Sequence, residues 1–316
     1  MSDLEMAATS ELGARPPAGS PPPSGVAPAP KTRSLAADAW HDLRRNWIFW
    51  VAAALVVLVI LMAVAPGLFS SADPTACTTR RQFAGPSGGA ILGYDFQGCD
   101  VFSRTVHGAR ASVLVGLFAV LLTGVIGLVF GMLAGYFGGW LDALLSRVVD
   151  VVLGIPLLLA AIVLSKRLAA DRQGSGIATV VIVLGILGWT TAARVMRSSV
   201  LTARQQDYVA AARMLGAGPL RIMWRHILPN ALAPFIVVLT IALGTFIATE
   251  ATLSFLNIGL RPPAISWGID IATAGKHVRE AAMPLIAPSL SLTLTVLAFI
   301  MLGDAIRDAF DPKLRR

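Results

Sequence analysis

Long apolar runs, separated by shorter polar segments, fill the chain from residue 47 onwards. Six of them fit a window of about 19 residues, the length at which a helix crosses a bilayer. These runs are Trp47–Ala65, Ser112–Gly135, Leu144–Leu164, Ile177–Ala193, Ala233–Phe255 and Leu285–Leu302. The sequence shows no ten-residue alternation of the kind found in membrane strands. We therefore predict an all-α integral membrane protein with six transmembrane helices, because a helix satisfies its own backbone polar groups in lipid.

Charged residues interrupt two of the runs. Arg147 and Asp150 lie near the start of the third run, one helical turn apart, so we expect them to form an ion pair. Glu250 lies deep in the fifth run, where an unpartnered carboxylate is costly. Three hydroxyl side chains, Thr245, Thr249 and Thr252, are near it in sequence. We interpret Glu250 as a hydrogen-bonded structural, pathway or gating residue, in preference to a proton relay.

Glycines recur at every fourth position in the second run, at Gly127, Gly131 and Gly135. Residues with this spacing share one face of a helix. Small residues on one face let two membrane helices approach closely. The pattern therefore predicts a packing surface.

A polar segment, residues 201–230, separates the fourth and fifth runs and carries a helical pattern of its own. Asp207 is a suitable N-cap for a short alanine-rich helix, and Gly216 lies where helices commonly end in the left-handed conformation. Gly218 and Pro219 are typical of a turn followed by a second helix. Two short helices joined at a bend are therefore expected.

The second helix of this segment has an apolar stripe. Residues recur in it at three-to-four spacing: Leu220, Met223, Trp224, Ile227 and Leu228. We expect Pro229 to close the helix and the stripe to pack against the ends of membrane helices. Three basic side chains, Arg213, Arg221 and Arg225, would stay in water or meet an acidic partner. One face would anchor the segment, and another would be free to dock outside the membrane.

The composition excludes an ordinary soluble globule. Of the 316 residues 55% are hydrophobic and only 14% are charged, and the mean hydropathy is +0.71. Soluble domains are less apolar, with about a quarter of their residues charged. The chain therefore belongs in a bilayer.

The net charge of +8 is best explained by membrane topology. Basic residues precede the first run, follow the fourth and follow the sixth, and six crossings place these three positions on one side of the membrane. They are Lys31, Arg33, Arg44, Arg45, Arg194, Arg197, Arg204, Arg213, Arg221, Arg225, Lys313, Arg315 and Arg316. That side is expected to be the cytoplasm. The charge also suits anionic lipid, whereas nucleic-acid binding would need basic residues and stacking aromatics on an exposed domain.

The chain divides into four regions. Residues 1–33 are rich in proline and are predicted to be a disordered cytoplasmic tail; no apolar run before Trp47 suggests a cleavable signal peptide. Residues 34–46 are either an amphipathic helix on the membrane surface or a plain juxtamembrane linker. Residues 47–310 form the transmembrane domain, and residues 311–316 form a cytoplasmic C-terminus.

The segment Asp207–Asn230 resembles the cytoplasmic EAA loop of importer permeases in the ATP-binding cassette (ABC) class. The matching residues are Ala211, Ala212, Gly216, Ile227, Leu228 and Pro229. One departure is Ala210, which stands where the family has an acidic residue. The resemblance implies a coupling helix that contacts partner ATPase subunits. The residues assigned to that contact are Asp207, Tyr208, Ala211, Ala212, Arg213, Gly216 and Arg225.

Other blocks resemble the dipeptide, oligopeptide and nickel permease family. The sequence GYDFQGCDVFSRTVHGAR at Gly93–Arg110 is similar to that family's GTD-x-x-GRDV-x-SR-x-x-x-GAR signature. The ending at Leu302–Pro312 resembles that of the second, C-type permease subunit. The resemblance covers most of the chain and implies the type I ABC importer permease fold, in the bacterial inner (plasma) membrane with both termini cytoplasmic.

The resemblance also implies partners and solutes. The expected partners are a homologous permease subunit, two ATP-binding cassette subunits and an extracytoplasmic solute-binding protein. Dipeptides or short oligopeptides are the expected solutes, with haem and nickel chelates as known variants. The sequence contains no Walker-type GxxxxGK[ST] motif, so ATP and Mg²⁺ are expected on the ATPase subunits, with no cofactor or metal on this chain.

The two cysteines lie in the first extracytoplasmic loop, predicted over residues 66–110. Cys99 stands where the family usually has arginine, and Cys77 precedes it in the same loop. Because the loop faces an oxidising compartment and the spacing does not suggest a metal site, a Cys77–Cys99 disulfide is predicted. Two independent free thiols are the alternative.

Two other classes of membrane protein share these spans. An intramembrane enzyme would need a nucleophile or paired acids facing a membrane cavity, and Ser254 and Ser291 have no plausible base in the neighbouring helices. A passive channel would need no ATPase. Neither class explains the polar docking segment. The sequence therefore favours a permease subunit that carries out no covalent chemistry.

Overall fold

The structure, a computed structural model, describes residues 35–169 and 176–310. The predicted disordered tail, residues 1–33, and the predicted C-terminus, residues 311–316, lie outside these described residues. Within them the ordered elements are helices, and strand-like pairing is limited to two isolated bridges over residues 87–100. The all-α prediction is confirmed.

Five helices are long and apolar enough to cross a membrane. They are α2 (Trp47–Val64), α3 (Val101–Phe137), α6 (Ile177–Arg204), α9 (Leu228–Phe255) and α11 (Met283–Phe310). Each contains one of the predicted apolar runs, apart from the last residue of the first run, and all but α2 extend beyond the run at one or both ends. Four of the predicted runs are thus the apolar parts of longer helices.

Shorter helical elements connect and flank these spans. They are α1 (Leu35–Arg45), α4 (Gly139–Gly154), α5 (Leu157–Ala169), α7 (Asp207–Met214), α8 (Pro219–Ile222), α10 (Trp267–Ala274), a π-helical turn at Met223–Ile227, and 3₁₀ turns at Pro66–Leu68, Thr79–Arg81 and Gly275–His277. Residues 35–45 form a helix, α1, which is the first of the two alternatives for residues 34–46, the other being a plain linker. Its Leu43 is buried against Ala305 and Ala309 near the end of α11, so this helix packs on the bundle.

The third predicted span is not a single straight helix. The run Leu144–Leu164 is divided between α4 and α5, whose axes differ in direction by 88°. The break follows Gly154 and includes Pro156, which lacks a backbone N–H and cannot continue a helix begun before it. The chain therefore reaches six crossings only if this bent pair counts as one.

The predicted ion pair of Arg147 with Asp150 is wrong. Arg194 of α6 donates to the carboxylate of Asp150 at 2.7 Å. One helical turn further along α6, Arg197 binds Asp142 in a bidentate pair whose Nη2–Oδ2 distance is 2.7 Å. Both carboxylates of α4 thus join the neighbouring helix, because the turn after α3 lays α4 beside α6.

The glycines of α3 form a close packing surface, as predicted, and the helix that packs on it is α6. A Cβ atom at Gly131 would lie 2.6 Å from the Cβ of Met196 and 2.7 Å from the carbonyl oxygen of Ala193. At Gly127 and Gly135 the nearest atoms of α6 would be 2.7 and 2.8 Å away. Real side chains do not fit at these distances, so the absence of a Cβ sets how closely the two helices approach.

The first loop is held by a disulfide between Cys77 and Cys99. It is shorter than the predicted 66–110, because α3 already begins at Val101, where the Asp100 carboxylate accepts from the Phe102 N–H at 2.8 Å. Beside the disulfide, a Cβ at Gly98 would lie 1.9 Å from the carbonyl oxygen of Thr78. Next to the disulfide, the loop segments around Thr78 and Gly98 are therefore in direct backbone contact.

Gly131→Ala is expected to lower the stability of the protein. The new methyl group meets backbone as well as Met196, and overpacking of this kind costs about 1–3 kcal/mol. Gly154→Ala is the control, since a Cβ at that end of α4 meets nothing within 4 Å. Thermal unfolding in detergent, followed by tryptophan fluorescence, should show a lower midpoint for Gly131→Ala alone. Equal midpoints for the two variants would show that α3 and α6 are not closely packed.

If Cys77 and Cys99 are bridged, two experiments on membrane-extracted protein have definite expected results. Alkylation without reductant should add no label to the intact mass, and reduction first should add two. The bridge joins residues 22 apart, and closing such a loop stabilises it by roughly 3 kcal/mol in the chain-entropy model. Cys77→Ser with Cys99→Ser should therefore expose the loop to limited proteolysis. Two labelled thiols in unreduced protein would contradict the bridge.

Candidate functional site

Helix α7 ends as its sequence predicts. Gly216 follows the helix with a φ of +77°, the left-handed conformation that favours glycine. The N–H of Ala217 donates to the carbonyl of Ala212 at 3.0 Å, which is the bond that closes a helix end of this type. Gln206, and not Asp207, occupies the N-cap position. Asp207 is the first helical residue, and its carboxylate lies in the first turn, where a helix stabilises negative charge.

The second part of the segment continues into the membrane. Helix α8 starts at Pro219 after Gly218, as predicted, but Pro229 does not end the element. The N–H of Leu228 donates to the carbonyl of Met223, five residues back, and this π-helical turn leads directly into α9. The wider turn shifts the backbone bonding just before Pro229, so the proline falls in the first turn of α9. Helix α8, the π-helical turn and the fifth span are thus one continuous helical rod, which α7 joins through the bend at Gly216.

The buried face of the segment differs partly from the predicted stripe. Met223, Ile227 and Leu228 are buried as expected, together with residues outside the stripe. Those additional residues are Val209, Ala212 and Ile222. They pack with Met132 and Tyr136 near the end of α3 and with Met196, Val200 and Ala203 of α6. The π-helical turn changes the helical phase, so the straight-helix spacing assigned two positions to the wrong face.

Those two positions, Leu220 and Trp224, are 69% and 61% exposed. Met214 and Leu215, at the end of α7, are 83% and 87% exposed. We call these four residues the exposed apolar set. Tyr208 is also exposed, as are Ala211 and Arg225 of the predicted contact residues. Four large apolar side chains left exposed on a short polar segment are typical of a surface that a partner protein or a membrane covers.

Two arginines tie the segment to the end of α3. The guanidinium of Arg204 donates to the carbonyl oxygen of Tyr136 at 2.8 Å. The guanidinium of Arg213, which is exposed, lies 5.9 Å from the centre of the Tyr136 ring. Arg221 and Arg225 are exposed as expected. Arg213 therefore has an intramolecular partner that the sequence did not indicate.

Glu250 is fully buried and hydrogen-bonded, although not to the threonines near it in sequence. Ser112 of α3 donates to its Oε2 at 3.0 Å, and Ser254 of α9 donates to its Oε1 at 2.8 Å. Thr245, Thr249 and Thr252 donate instead to backbone carbonyls four residues earlier. The carboxylate therefore joins α3 to α9.

Ser254 does have a carboxylate beside it, that of Glu250, which lies on the same helix and not on a neighbouring one. Its hydroxyl donates to Glu250 and accepts from the N–H of Leu260 at 2.9 Å. Both side chains are buried, at 2% and 0% exposure. The serine is thus part of a closed hydrogen-bond cluster and does not face a cavity as a nucleophile would.

A cavity of about 460 Å³ lies at the break between α4 and α5. Pro156 and Leu157 from the break, Thr190 from α6 and Thr245 from α9 line it, with Gly188 at its wall. The lining is apolar apart from scattered hydroxyl groups. Sequence reasoning missed this site, although the Gly-Ile-Pro sequence at residues 154–156 was a signal for a broken helix.

Two family models match the chain. A model of the binding-protein-dependent transport system inner membrane component matches residues 127–316. A model of the N-terminal TM domain of oligopeptide transport permease C matches residues 34–86. Together they match α1, α2, the beginning of the first loop and everything from the middle of α3 onwards, including the segment that leads into α9.

Several characterised relatives are similar over nearly their whole length. The dipeptide transport system permease protein DppC of Alkalihalophilus pseudofirmus is 35% identical over 292 residues, covering 91% of this chain and 94% of that protein. The oligopeptide transport system permease protein OppC of Bacillus subtilis is 35% identical, with 90% and 92% covered. The glutathione transport system permease protein GsiD of Pectobacterium atrosepticum is 38% identical, with 88% and 91% covered.

A solved structure shares the fold. The inward-facing MetNI methionine ABC transporter, in its native crystal form, matches 65% of this chain and 95% of its own with a TM-score of 0.51. The sequence identity is 21%. The likeness supports the predicted importer-permease arrangement of helices and carries no information on the solute.

Proposed function

This chain belongs to the family of binding-protein-dependent transport system inner membrane components, and we propose that it is the C-type permease subunit of an ATP-driven importer of dipeptides or short oligopeptides. A homologous permease, two ATP-binding cassette subunits and an extracytoplasmic solute-binding protein would complete the importer. In this arrangement the segment from α7 to the π-helical turn lies in the cytoplasm, with both termini on the same side of the membrane.

The observation that carries this proposal is the construction of the α7–α8 segment. It exposes the apolar set outside the membrane and packs its other face on α3 and α6, and its second helix, α8, continues without a break into α9. A surface that is both exposed and rigidly joined to a membrane helix suits the transfer of movement from a partner. ATPase subunits that close on ATP would push on this surface.

The mechanism follows from that connection. Movement of the segment would tilt α9, and α3 and α6 would move with it because their inner ends share its core. Rigid-body rocking of such a bundle against the homologous permease would switch the pathway between inward and outward access. ATP and Mg²⁺ would bind to the partner ATPase subunits. This chain would change which side of the membrane the pathway opens to, and would carry out no covalent chemistry.

The broken helix supplies the surface for the solute. The cavity at Pro156 is lined by carbon and by hydroxyl groups, which suits solutes with varied side chains. Two of its lining residues, Leu153 and Ile155, are exposed apolar side chains, and α4 and α5 expose three more at Val151, Leu159 and Val163. The homologous permease would cover these residues, and the cavity would then open into a pathway between the two subunits.

Glu250 is proposed to hold the outer ends of α3 and α9 together during this movement. Its two serine partners lie on different helices, and a buried carboxylate that lost them would be costly. The cluster would thus favour rigid rotation over separation of the helices. This is the structural and gating role expected from the sequence.

Short peptides are proposed as solutes because the relatives named above are permeases for dipeptides, oligopeptides and glutathione. The test is ATP-dependent uptake of labelled dialanine by the complete importer in proteoliposomes. The mass of the ligand carried by the co-purified binding protein provides a second test. Uptake of a haem or nickel chelate without uptake of dialanine would overturn the choice of solute.

Gly216→Val is expected to abolish uptake and solute-stimulated ATP hydrolysis while leaving the protein inserted and stable. A Cβ there would meet no atom within 4 Å, so the effect would come from the left-handed backbone alone. Gly218→Val is the matched control, since that glycine has equal space and a φ of −70°. Gly216→Asn should retain activity, because asparagine tolerates this conformation. Full uptake by Gly216→Val would show that the bend is only a linker.

Leu215→Glu is expected to prevent co-purification of the ATPase subunits. It introduces a charge into the exposed apolar set, where docking would bury it without a partner. Ala210→Glu is the control: it adds the same charge to the same segment, at the position where the family carries an acid. Retention of the ATPases by Leu215→Glu would place the docking surface elsewhere.

A further inference from the structure

A second cavity, of about 320 Å³, lies on the opposite side of the molecule from the α7–α8 segment. It opens between the first loop, the start of α3 and the region around α10. We call it the outer cavity. Its polar lining consists mainly of Asp95, Gln97, Arg104, Asp270, Thr273 and His277. Nothing in the transport mechanism above uses it.

Its charged groups do not balance. Arg104 of α3 binds Oδ1 of Asp270 through both Nε, at 3.1 Å, and Nη2. The Nε of Arg104 is also 3.7 Å from Oδ2 of Asp95. One guanidinium thus faces two carboxylates, and the described residues that line the cavity include no other arginine or lysine. With both carboxylates ionised, these three groups carry a net negative charge.

One oxygen of this cluster lacks a partner. Asp270 is only 9% exposed, and its Oδ2 has no hydrogen bond to any described residue. A buried acceptor of this kind costs free energy unless a ligand or solvent supplies the donor. Burial raises the pKa of the Asp270 carboxyl, and the Arg104 guanidinium opposes that shift. A second cationic donor beside Oδ2 would stabilise the ionised form.

Aromatic rings form the other wall. The ring of His277 is stacked on Phe96, with centres 5.1 Å apart and an angle of 11° between the planes, and lies 5.5 Å from Phe83. Aromatic faces attract organic cations. Carboxylates on one side and rings on the other favour a cationic group with apolar substituents over a metal ion, which would need more oxygen ligands.

We propose that the outer cavity is an entry subsite that binds the ammonium terminus of a short peptide before it passes into the membrane. This inference rests on the proposed import of peptides. The ammonium would donate to Oδ2 of Asp270, after a small movement of the carboxylate, and the apolar part of the peptide would lie on Phe83, Phe96 and the neighbouring prolines. The volume suits two or three residues, because small-ligand sites start near 300 Å³.

Binding of dialanine tests the proposal. The two permease subunits and the two ATPase subunits are reconstituted together in nanodiscs, without the solute-binding protein. Saturation-transfer NMR then gives the dissociation constants for dialanine and for N-acetyl-dialanine, which has no ammonium group. Dialanine should bind at least about tenfold more tightly, since a charge-assisted hydrogen bond is lost in the acetylated form. Equal binding of the two would overturn the proposal.

Two pairs of variants locate the site. Asp270→Asn and Ala281→Phe, which fills the cavity without changing its charge, should each weaken dialanine binding about tenfold. Their controls, Glu280→Gln and Ala282→Phe, change exposed neighbours and should bind like the wild type. If Asp270→Asn fails to fold, the affinity of Ala281→Phe for dialanine is sufficient to test the site. Wild-type affinity in the folded variants would overturn the site.

An uptake assay distinguishes failure of the entry-subsite proposal from failure of the proposed import function. Wild-type importer with its binding protein is assayed in proteoliposomes alongside the binding experiment. Dialanine uptake together with no direct binding would overturn the entry subsite and leave the import function intact. Absence of dialanine uptake would contradict the proposed function itself.

Discussion

The close approach of α3 and α6 is the contact on which the rest of the structure depends. Three glycines remove the side chains that would keep the helices apart, and Met196 and Val200 of α6 occupy the space they leave. The contact fixes where both helices end on the inner side of the membrane. There they form the platform on which the buried face of the α7–α8 segment rests. The exposed apolar set, the proposed docking surface, is therefore positioned by the packing of these two helices.

The outer end of α3 is fixed in a different way, by hydrogen bonds. Ser112 binds Glu250 of α9, Arg104 binds Asp270 of α10, and the carbonyl oxygen of Thr105 accepts from the Trp267 indole at 2.8 Å. In a setting with little water, each of these polar groups needs a protein partner. Helix α3 is therefore held mainly by polar contacts at one end and mainly by close apolar packing at the other.

Helix α9 joins the two ends. Its beginning is continuous with the α7–α8 segment through a π-helical turn, and Glu250 near its other end belongs to the buried hydrogen-bond cluster. A force applied to the exposed apolar set therefore reaches the outer side of the bundle along a single helix. The side chains that would carry this force are not those that would contact the solute, which suits a subunit that transports varied peptides.

The sequence by itself determined the helical class, the positions of five spans, the close-packing glycines and the left-handed Gly216, because these depend on local hydropathy and backbone preference. The tertiary structure alone decided which charged groups meet. Asp150 pairs with Arg194, 44 residues away, and Glu250 with Ser112, 138 residues away. Sequence spacing pointed to nearer partners in both cases, since it records only neighbours along one helix. Likewise, Leu220 and Trp224 are exposed although a regular α-helix would place them on the buried face. The π-helical turn at Met223–Ile227 changes the angle between successive side chains, and residue type does not reveal such a turn.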